Sequence, residues 1–209
     1  MIDPDTLDWA KMDGLIPAIV QDAGSGEVRM LGYMDPAALA ATLRDRLVTF
    51  HSRSRGGLWR KGESSGNLLK LVDIKLDCDH DALLVLANPV GPTCHTGSAS
   101  CFGDDGAPGT GFVATLAATI GHRAAADPSS SYTARLMAQG VKRIAQKVGE
   151  EGVEVALAAT SGDAAELGAE AADLVYHLTV LLEASDSSWE AVIGELKQRH
   201  AASSATASS

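Results

Sequence analysis

The 209-residue chain is expected to fold as two domains, a strand-rich α+β domain followed by an all-α domain. Short apolar runs punctuated by turn residues fill roughly the first hundred positions, and Ala/Leu/Val-rich helical periodicity fills the rest. Between them Gly103–Gly111 is rich in glycine, a composition with little to pack. The boundaries follow as a first domain over 1–105, a Gly/Pro linker over 106–111, a helical domain over 112–200 and a disordered Ala/Ser/Thr tail over 201–209.

Gly14–Asp22 and Val28–Met34 are apolar runs around the turn Ala23-Gly24-Ser25-Gly26, and so predict a strand–turn–strand unit. Asp35 is a capping residue followed by Pro36 at the first helical position, which opens a short helix to about Arg44. Val48–Ser52, Leu68–Leu76 and Leu83–Asn88 are further strands, the last closed by Pro89, Gly91 and Pro92. Helices are expected over Phe112–Ala125, Ser131–Ala159, Asp163–Ala184 and Ser188–His200. Asp163 with Glu166, and Ser187 with Glu190, have capping-box spacing. No internal repeat relates the halves.

Composition excludes several classes. Hydrophobic residues make up 45%, enough for a core. Against 27 Asp+Glu stand 17 Lys+Arg, and the net charge of −10 argues against bulk nucleic-acid binding. The longest apolar stretch, Ala82–Ala87, falls far short of the ~18 residues of a membrane span. Asp3, Asp5 and Asp8 are the wrong start for a secretory signal, so a cytoplasmic protein with reduced thiols is expected.

Asp77-Cys78-Asp79-His80-Asp81, if extended, sets three carboxylates on one face and Cys78 with His80 on the other. Carboxylates so crowded repel unless a hard cation, Mg²⁺ or Ca²⁺, sits among them. An EF-hand is excluded, because Ala82 and Asn88 stand where its glycine and glutamate belong. Cys78, Cys94 and Cys101 match the ligand count of a catalytic zinc that activates water, with His95 or His80 available to close a structural site. The bland alternative is three small buried hydrophobes. His51–Asn67 packs four cations and four serines into a glycine-punctuated loop, a local anion site with Trp59 as a stacking face.

Taken together, Ser52-Arg53-Ser54-Arg55, then Leu58-Trp59-Arg60-Lys61-Gly62-Glu63, Ser65-Gly66-Asn67, the Asp77–Asp81 run and Gly91-Pro92-Thr93-Cys94-His95-Thr96-Gly97 to Cys101-Phe102 resemble the phosphoribosyl-AMP cyclohydrolases of histidine biosynthesis. The resemblance covers about Gly14–Phe102. It implies hydrolytic opening of the adenine six-membered ring and a homodimer sharing zinc, with Cys78 from one subunit and Cys94 and Cys101 from the other. It also implies Mg²⁺ at Asp77, Asp79 and Asp81, and substrate contacts from Ser52, Arg53, Ser54, Arg55, Trp59, Lys61, Glu63, Ser65 and Asn67. Such chemistry needs a proton carrier, for which His95 and His51 are the candidates.

In the second half, Glu151/Glu154 and Glu170/Asp173 are each spaced i, i+3 and so share a helix face. The short connection Thr160-Ser161-Gly162-Asp163 makes the helices an antiparallel hairpin, and both pairs fall ~14–15 Å from its turn. Four carboxylates at one height on apolar helices call for a cation, and Mg²⁺ carrying substrate phosphates fits. The acidic pattern is similar to the all-α, MazG-type nucleoside-triphosphate pyrophosphohydrolases. Tyr132-Thr133-Ala134-Arg135-Leu136, Lys147–Glu154 and Glu170–His177 resemble phosphoribosyl-ATP pyrophosphohydrolases. That resemblance implies Mg²⁺ on Glu151, Glu154, Glu170 and Asp173, Glu150 as water activator, and Arg135 and Lys147 neutralising phosphate.

The two resemblances describe consecutive reactions, so the expected protein is a bifunctional hydrolase. It would use Zn²⁺ and Mg²⁺ on phosphoribosyl-ATP and phosphoribosyl-AMP as a homodimer, without nucleic-acid or membrane partners. A general nucleotide pyrophosphatase with a regulatory nucleotide-binding domain, and a zinc-stabilised nucleic-acid-binding module, are the alternatives.

Overall fold

The computed structural model describes residues 2–103 and 105–206. The chain divides into two compact units between Phe112 and Val113. In the first unit, β1 (Ile16–Asp22) and β2 (Val28–Met34) form an antiparallel hairpin. Helix α1 (Pro36–Asp45) follows, with Asp35 capping it through the Ala38 N–H as expected. Next come β3 (Thr49–Ser52), β4 (Gly57–Arg60), β5 (Leu69–Leu76) and β6 (Leu83–Pro89). The main sheet has the order β2-β1-β6-β5, with β1 and β6 parallel, while β3 and β4 form a separate two-stranded ribbon.

Alternation along β1 buries Ile16, Ala18 and Val20, which join Met34, Leu39, Phe50, Leu83 and Val85 in one core. A bulge between Leu71 and Asp73 shifts the phase of β5, so that Leu71 and Ile74 both face inward. Gly32 is needed where it stands, since a Cβ there would lie 2.4 Å from the Phe50 ring. Strand β4 was not anticipated. Its residues read as a basic loop because their side chains alternate poorly, yet Phe50 pairs with Trp59 and their rings lie 5.7 Å apart.

The second unit contains α2 (Phe112–Ala124), α3 (Tyr132–Ala138), α4 (Val141–Ser161), α5 (Ala164–Ala184) and α6 (Trp189–Thr206). The single helix expected over Ser131–Ala159 is two helices, because Gly140 takes a positive φ of 81° between them. Asp163 caps α5 through Ala165 and Glu166, as its spacing suggested. At α6 the accepting hydroxyl is that of Ser188, toward Ala191, one residue later than the expected box. Helix α6 runs on through Ala201–Thr206, where a disordered tail was expected, and 207–209 lie outside the described residues, as does Asp104 of the Gly-rich stretch. The core of this unit is small: Ile120, Leu136, Ile144 and Val180 form its apolar cluster, with Ala134 and Ala158 also buried.

One buried polar cluster anchors the cysteine segment to the sheet. Arg29 on β2 donates to the Ala99 carbonyl at 3.1 Å and pairs with Asp22 at 2.7 Å and Glu27 at 3.0 Å. The Arg29 carbonyl accepts the Cys101 N–H at 2.8 Å, and Ser100 Oγ donates to Val28 O at 2.7 Å. Burial pushes the Asp22 carboxyl upward, but the Ser25 amide, Arg29 and the Gly24 amide outweigh it and hold the group below the usual range. A lowered carboxylate stabilises the fold above its unfolded-state pKa, and that contribution fades as pH falls below about 4. Arg29→Met leaves two carboxylates buried without a cation. It should destabilise the first unit by roughly 3 kcal/mol at pH 7, measured by urea unfolding, and by less at pH 3, where Asp22 takes up a proton.

Candidate active sites

The Asp77–Asp81 segment is a turn between β5 and β6 rather than an extended run. His80, at a φ of 62°, folds the chain back, and Asp77 Oδ1 accepts the Asp81 and Ala82 amides at 3.0 and 3.1 Å. The turn nevertheless gathers Asp77, Asp79 and Asp81, each offering an oxygen within 4.8 Å of the others. Lys11 Nζ lies 2.5 Å from both Asp79 and Asp81. Asp79 is thereby held below the usual carboxylate range, chiefly by its hydrogen bond from Lys11. His80 contacts the Thr6 carbonyl through Nδ1 at 2.9 Å, so its ring serves the N-terminal segment. An all-oxygen donor set of this kind suits Mg²⁺.

Cys94 and Cys101 come together, the two thiols being hydrogen-bonded to each other. Thr96 Oγ1 donates to Cys94 Sγ at 3.1 Å, and this bond, with the Thr96 amide, pulls the thiol below its ordinary range. Partial desolvation, then the charge of Cys94, pushes Cys101 up, while Lys61 draws it down. His95 Nδ1 lies 3.8 Å from Cys94 Sγ. Cys78, exposed in the β5–β6 turn, does not join them: among the described residues the three thiols form no common cluster. A thiolate-prone pair with an adjacent imidazole is a donor set that fits zinc, two protein ligands at a time.

A cleft of about 370 Å³ opens beside β2, β3 and β4. Tyr33, Phe50 and Trp59 line it together with His51, Ser52, Arg53 and Ser54. The Arg53 guanidinium sits 4.1 Å above the Tyr33 ring. His51 Nδ1 is 2.8 Å from Asp35 Oδ2. The other loop residues divide: Arg55 pairs with Glu63 at 3.7 Å, Ser65 Oγ accepts the Asn67 amide at 3.3 Å, and Lys61 is buried. Asn67 lies against Gly91, whose Cβ, if present, would be 2.5 Å from Asn67 Oδ1. The anion-binding reading thus resolves into an aromatic cleft and a second group facing the cysteine segment.

In the helical unit, α4 and α5 bring Glu151, Glu154 and Glu170 together, with oxygens within 4.8 Å. Asp173 stands exposed one turn further along α5, outside this group. Lys147 Nζ reaches Glu151 at 2.7 Å and Glu150 at 2.9 Å. Lys147 is the main influence lowering Glu151, whereas the Glu151 hydrogen bond and burial raise Glu154. Glu150 is held by Lys147, Gln146 and Arg143, and its carboxyl is lowered chiefly by Lys147. Arg135 is exposed on α3.

Two residues outside the expected set frame this site. His177 is buried, with Nδ1 2.9 Å from the Asp173 carbonyl and 3.5 Å from Glu151, and Nε2 3.1 Å from the Tyr132 hydroxyl. Tyr176 meets Thr133 at 2.7 Å. The i, i+4 spacing of His177 from Asp173 was the available signal, whereas the Tyr132 contact depends on the turn at Gly140.

Residues 30–103 match the family model for phosphoribosyl-AMP cyclohydrolase, and residues 113–200 match that for phosphoribosyl-ATP pyrophosphohydrolase. The chain is 59% identical over 194 residues to the histidine biosynthesis bifunctional protein HisIE of Salmonella typhimurium, covering 93% of this chain and 95% of the relative. It is 57% identical over 198 residues to the same-named protein of Vibrio cholerae, with 94% of each covered. With that of Photobacterium profundum it shares 56% over 200 residues, covering 93% and 97%. Similarity of this extent spans both units, and the chain belongs to the HisIE family of bifunctional histidine-biosynthesis hydrolases.

Proposed function

We propose that the helical unit converts phosphoribosyl-ATP to phosphoribosyl-AMP and pyrophosphate at the Glu151/Glu154/Glu170 cluster. The strand-rich unit then opens the adenine ring of phosphoribosyl-AMP at its cysteine site, giving the formimino-carboxamide ribonucleotide. The observation that carries this division is that each unit has its own donor cluster beside groups suited to its own step.

In the helical unit Mg²⁺, when bound, offsets phosphate charge and polarises the bond to be broken. Glu151, Glu154 and Glu170 hold it, with Asp173 kept in the ligand set by its i, i+3 relation to Glu170. Lys147 and Arg135 neutralise the phosphates. Glu150, whose carboxylate Arg143, Gln146 and Lys147 hold in place, is the group assigned to activate water.

In the first unit zinc, when bound, acts as a Lewis acid that lowers the pKa of water. Cys94 and Cys101 supply two of the three thiolates, and Cys78 of a second copy supplies the third. This fits the separation of Cys78 from the pair within one chain. Asp77, Asp79 and Asp81 hold Mg²⁺. His95, next to Cys94, carries the proton between water and the leaving ring nitrogen. Tyr33 and Trp59, partly exposed, offer ring faces to the nucleotide, Ser52, Arg53 and Ser54 take its phosphate, and His51 faces it in the cleft.

A homodimer follows from the shared metal. It is also favoured by the exposed apolar faces at Ile19 and Leu31 of the sheet and at Val153 and Leu157 of α4. No helix among the described residues is long and apolar enough to cross a membrane. Reduced thiols, which metal ligation needs, suit the cytoplasm.

Cys94→Ala should abolish ring opening, read by ultraviolet absorbance, while pyrophosphate release continues. Glu154→Ala should lower pyrophosphate release by on the order of 10²-fold and leave ring opening intact when phosphoribosyl-AMP is supplied. Loss of both activities in either folded variant would sink the two-site division. Mixing inactive Cys78→Ala and Cys94→Ala proteins should restore ring opening to about one quarter of wild type. Half the dimers are then mixed, and each mixed dimer holds one intact site of two. No recovery after proven subunit exchange would rule out a shared metal.

A further inference from the structure

Both oxygens of Asp35 are committed. Oδ1 accepts the Ala38 N–H at 2.7 Å and so caps α1, and Oδ2 lies 2.8 Å from Nδ1 of His51 on β3. An ionised carboxylate can only accept hydrogen bonds, so the proton of this contact belongs to Nδ1. In the neutral ring Nε2 is then bare, and it is the one imidazole nitrogen left for a ligand in the cleft. His51 lines the same cleft as the partly exposed rings Tyr33 and Trp59, and it directly precedes Ser52-Arg53-Ser54, the polar end. A nucleotide stretched from the rings to Arg53 presents its sugar at that point.

We propose that Asp35 is a positioning residue for ring opening: it fixes the tautomer of His51 so that Nε2 accepts a hydrogen bond from a ribose hydroxyl of the bound nucleotide. This rests on the reading above that the cleft holds phosphoribosyl-AMP. Asp35 acts through His51 alone, and its second oxygen ties the start of α1 to β3, so helix and imidazole are set together.

Asparagine separates the two duties. In Asp35→Asn the amide oxygen still caps α1, while the amide nitrogen faces His51 and donates to Nδ1, forcing the ring proton onto Nε2. The cleft then meets a donor where it met an acceptor. In full-length protein labelled with ¹⁵N-histidine, nitrogen shifts should report Nδ1–H in the wild type and Nε2–H in Asp35→Asn. The KM for phosphoribosyl-AMP should rise about threefold, less than a fully lost hydrogen bond costs because the hydroxyl can turn to accept from Nε2–H, with kcat moving less. Thermal stability and pyrophosphate release should stay unchanged.

His51→Ala, which loses the bond outright, should raise KM roughly tenfold, and Asp35→Asn should add nothing in that background. Should Asp35→Asn fold poorly, Asp35→Ser retains a capping oxygen but is too short to hold Nδ1, and should give mixed tautomers with a smaller rise in KM. A reversed tautomer with unchanged KM, or an unreversed one, overturns the role of Asp35. An unchanged KM in His51→Ala instead overturns the cleft as the nucleotide site.

Discussion

Repulsion among carboxylates held within a few ångströms of one another is the constraint around which both units are arranged. A chain carrying ten net negative charges brings three acidic side chains together twice, and each time a lysine bridges two neighbouring carboxylates. Lys11 joins Asp79 to Asp81, and Lys147 joins Glu150 to Glu151. The ammonium groups are raised by those contacts and the carboxylates Asp79, Glu150 and Glu151 are lowered. In each cluster the lysine offsets part of the negative charge, and what stays uncompensated suits a divalent ion.

The scaffolds that impose this crowding differ. In the strand-rich unit it is a tight turn between two sheet strands, stiffened because Asp77 accepts two amides of its own loop. In the helical unit it is a long hairpin of α4 and α5, where rise per residue alone sets the heights of the glutamates. The hairpin is further braced by His177, whose two ring nitrogens reach a backbone carbonyl on α5 and a hydroxyl on α3.

That contrast explains what could be read in advance. Helical spacing is regular, so the meeting of Glu151, Glu154 and Glu170 follows from counting residues back from Gly162. The Asp77–Asp81 cluster was legible for a different reason, since carboxylates at alternate positions are close in many backbone shapes, and the turn at His80 replaced the strand without scattering them. Pairings across long sequence separation left no local trace: Lys11 with the acidic turn, Asp35 with His51, Arg29 with Ala99. Strand β4 hid in a run of charges because one face of a two-stranded ribbon is open to water and needs no apolar alternation. The break at Gly140 was hidden as well, as one glycine within helical periodicity is common and only its positive φ ends the helix.

The helical unit closes around the apolar cluster of Ile120, Leu136, Ile144 and Val180, while Val153 and Leu157 on α4 remain open to solvent. Such a unit gains much of its stability by covering that stripe, and whatever covers it becomes a thermodynamic ligand of the folded state. With a second copy as the cover, dilution acts as a denaturant for this half of the chain. The strand-rich unit, with its larger core, is less exposed to that effect. It would keep its fold on dilution but lose the thiol it borrows from the second copy, so the abundance of the protein would govern both activities at once, with no change in either set of catalytic groups.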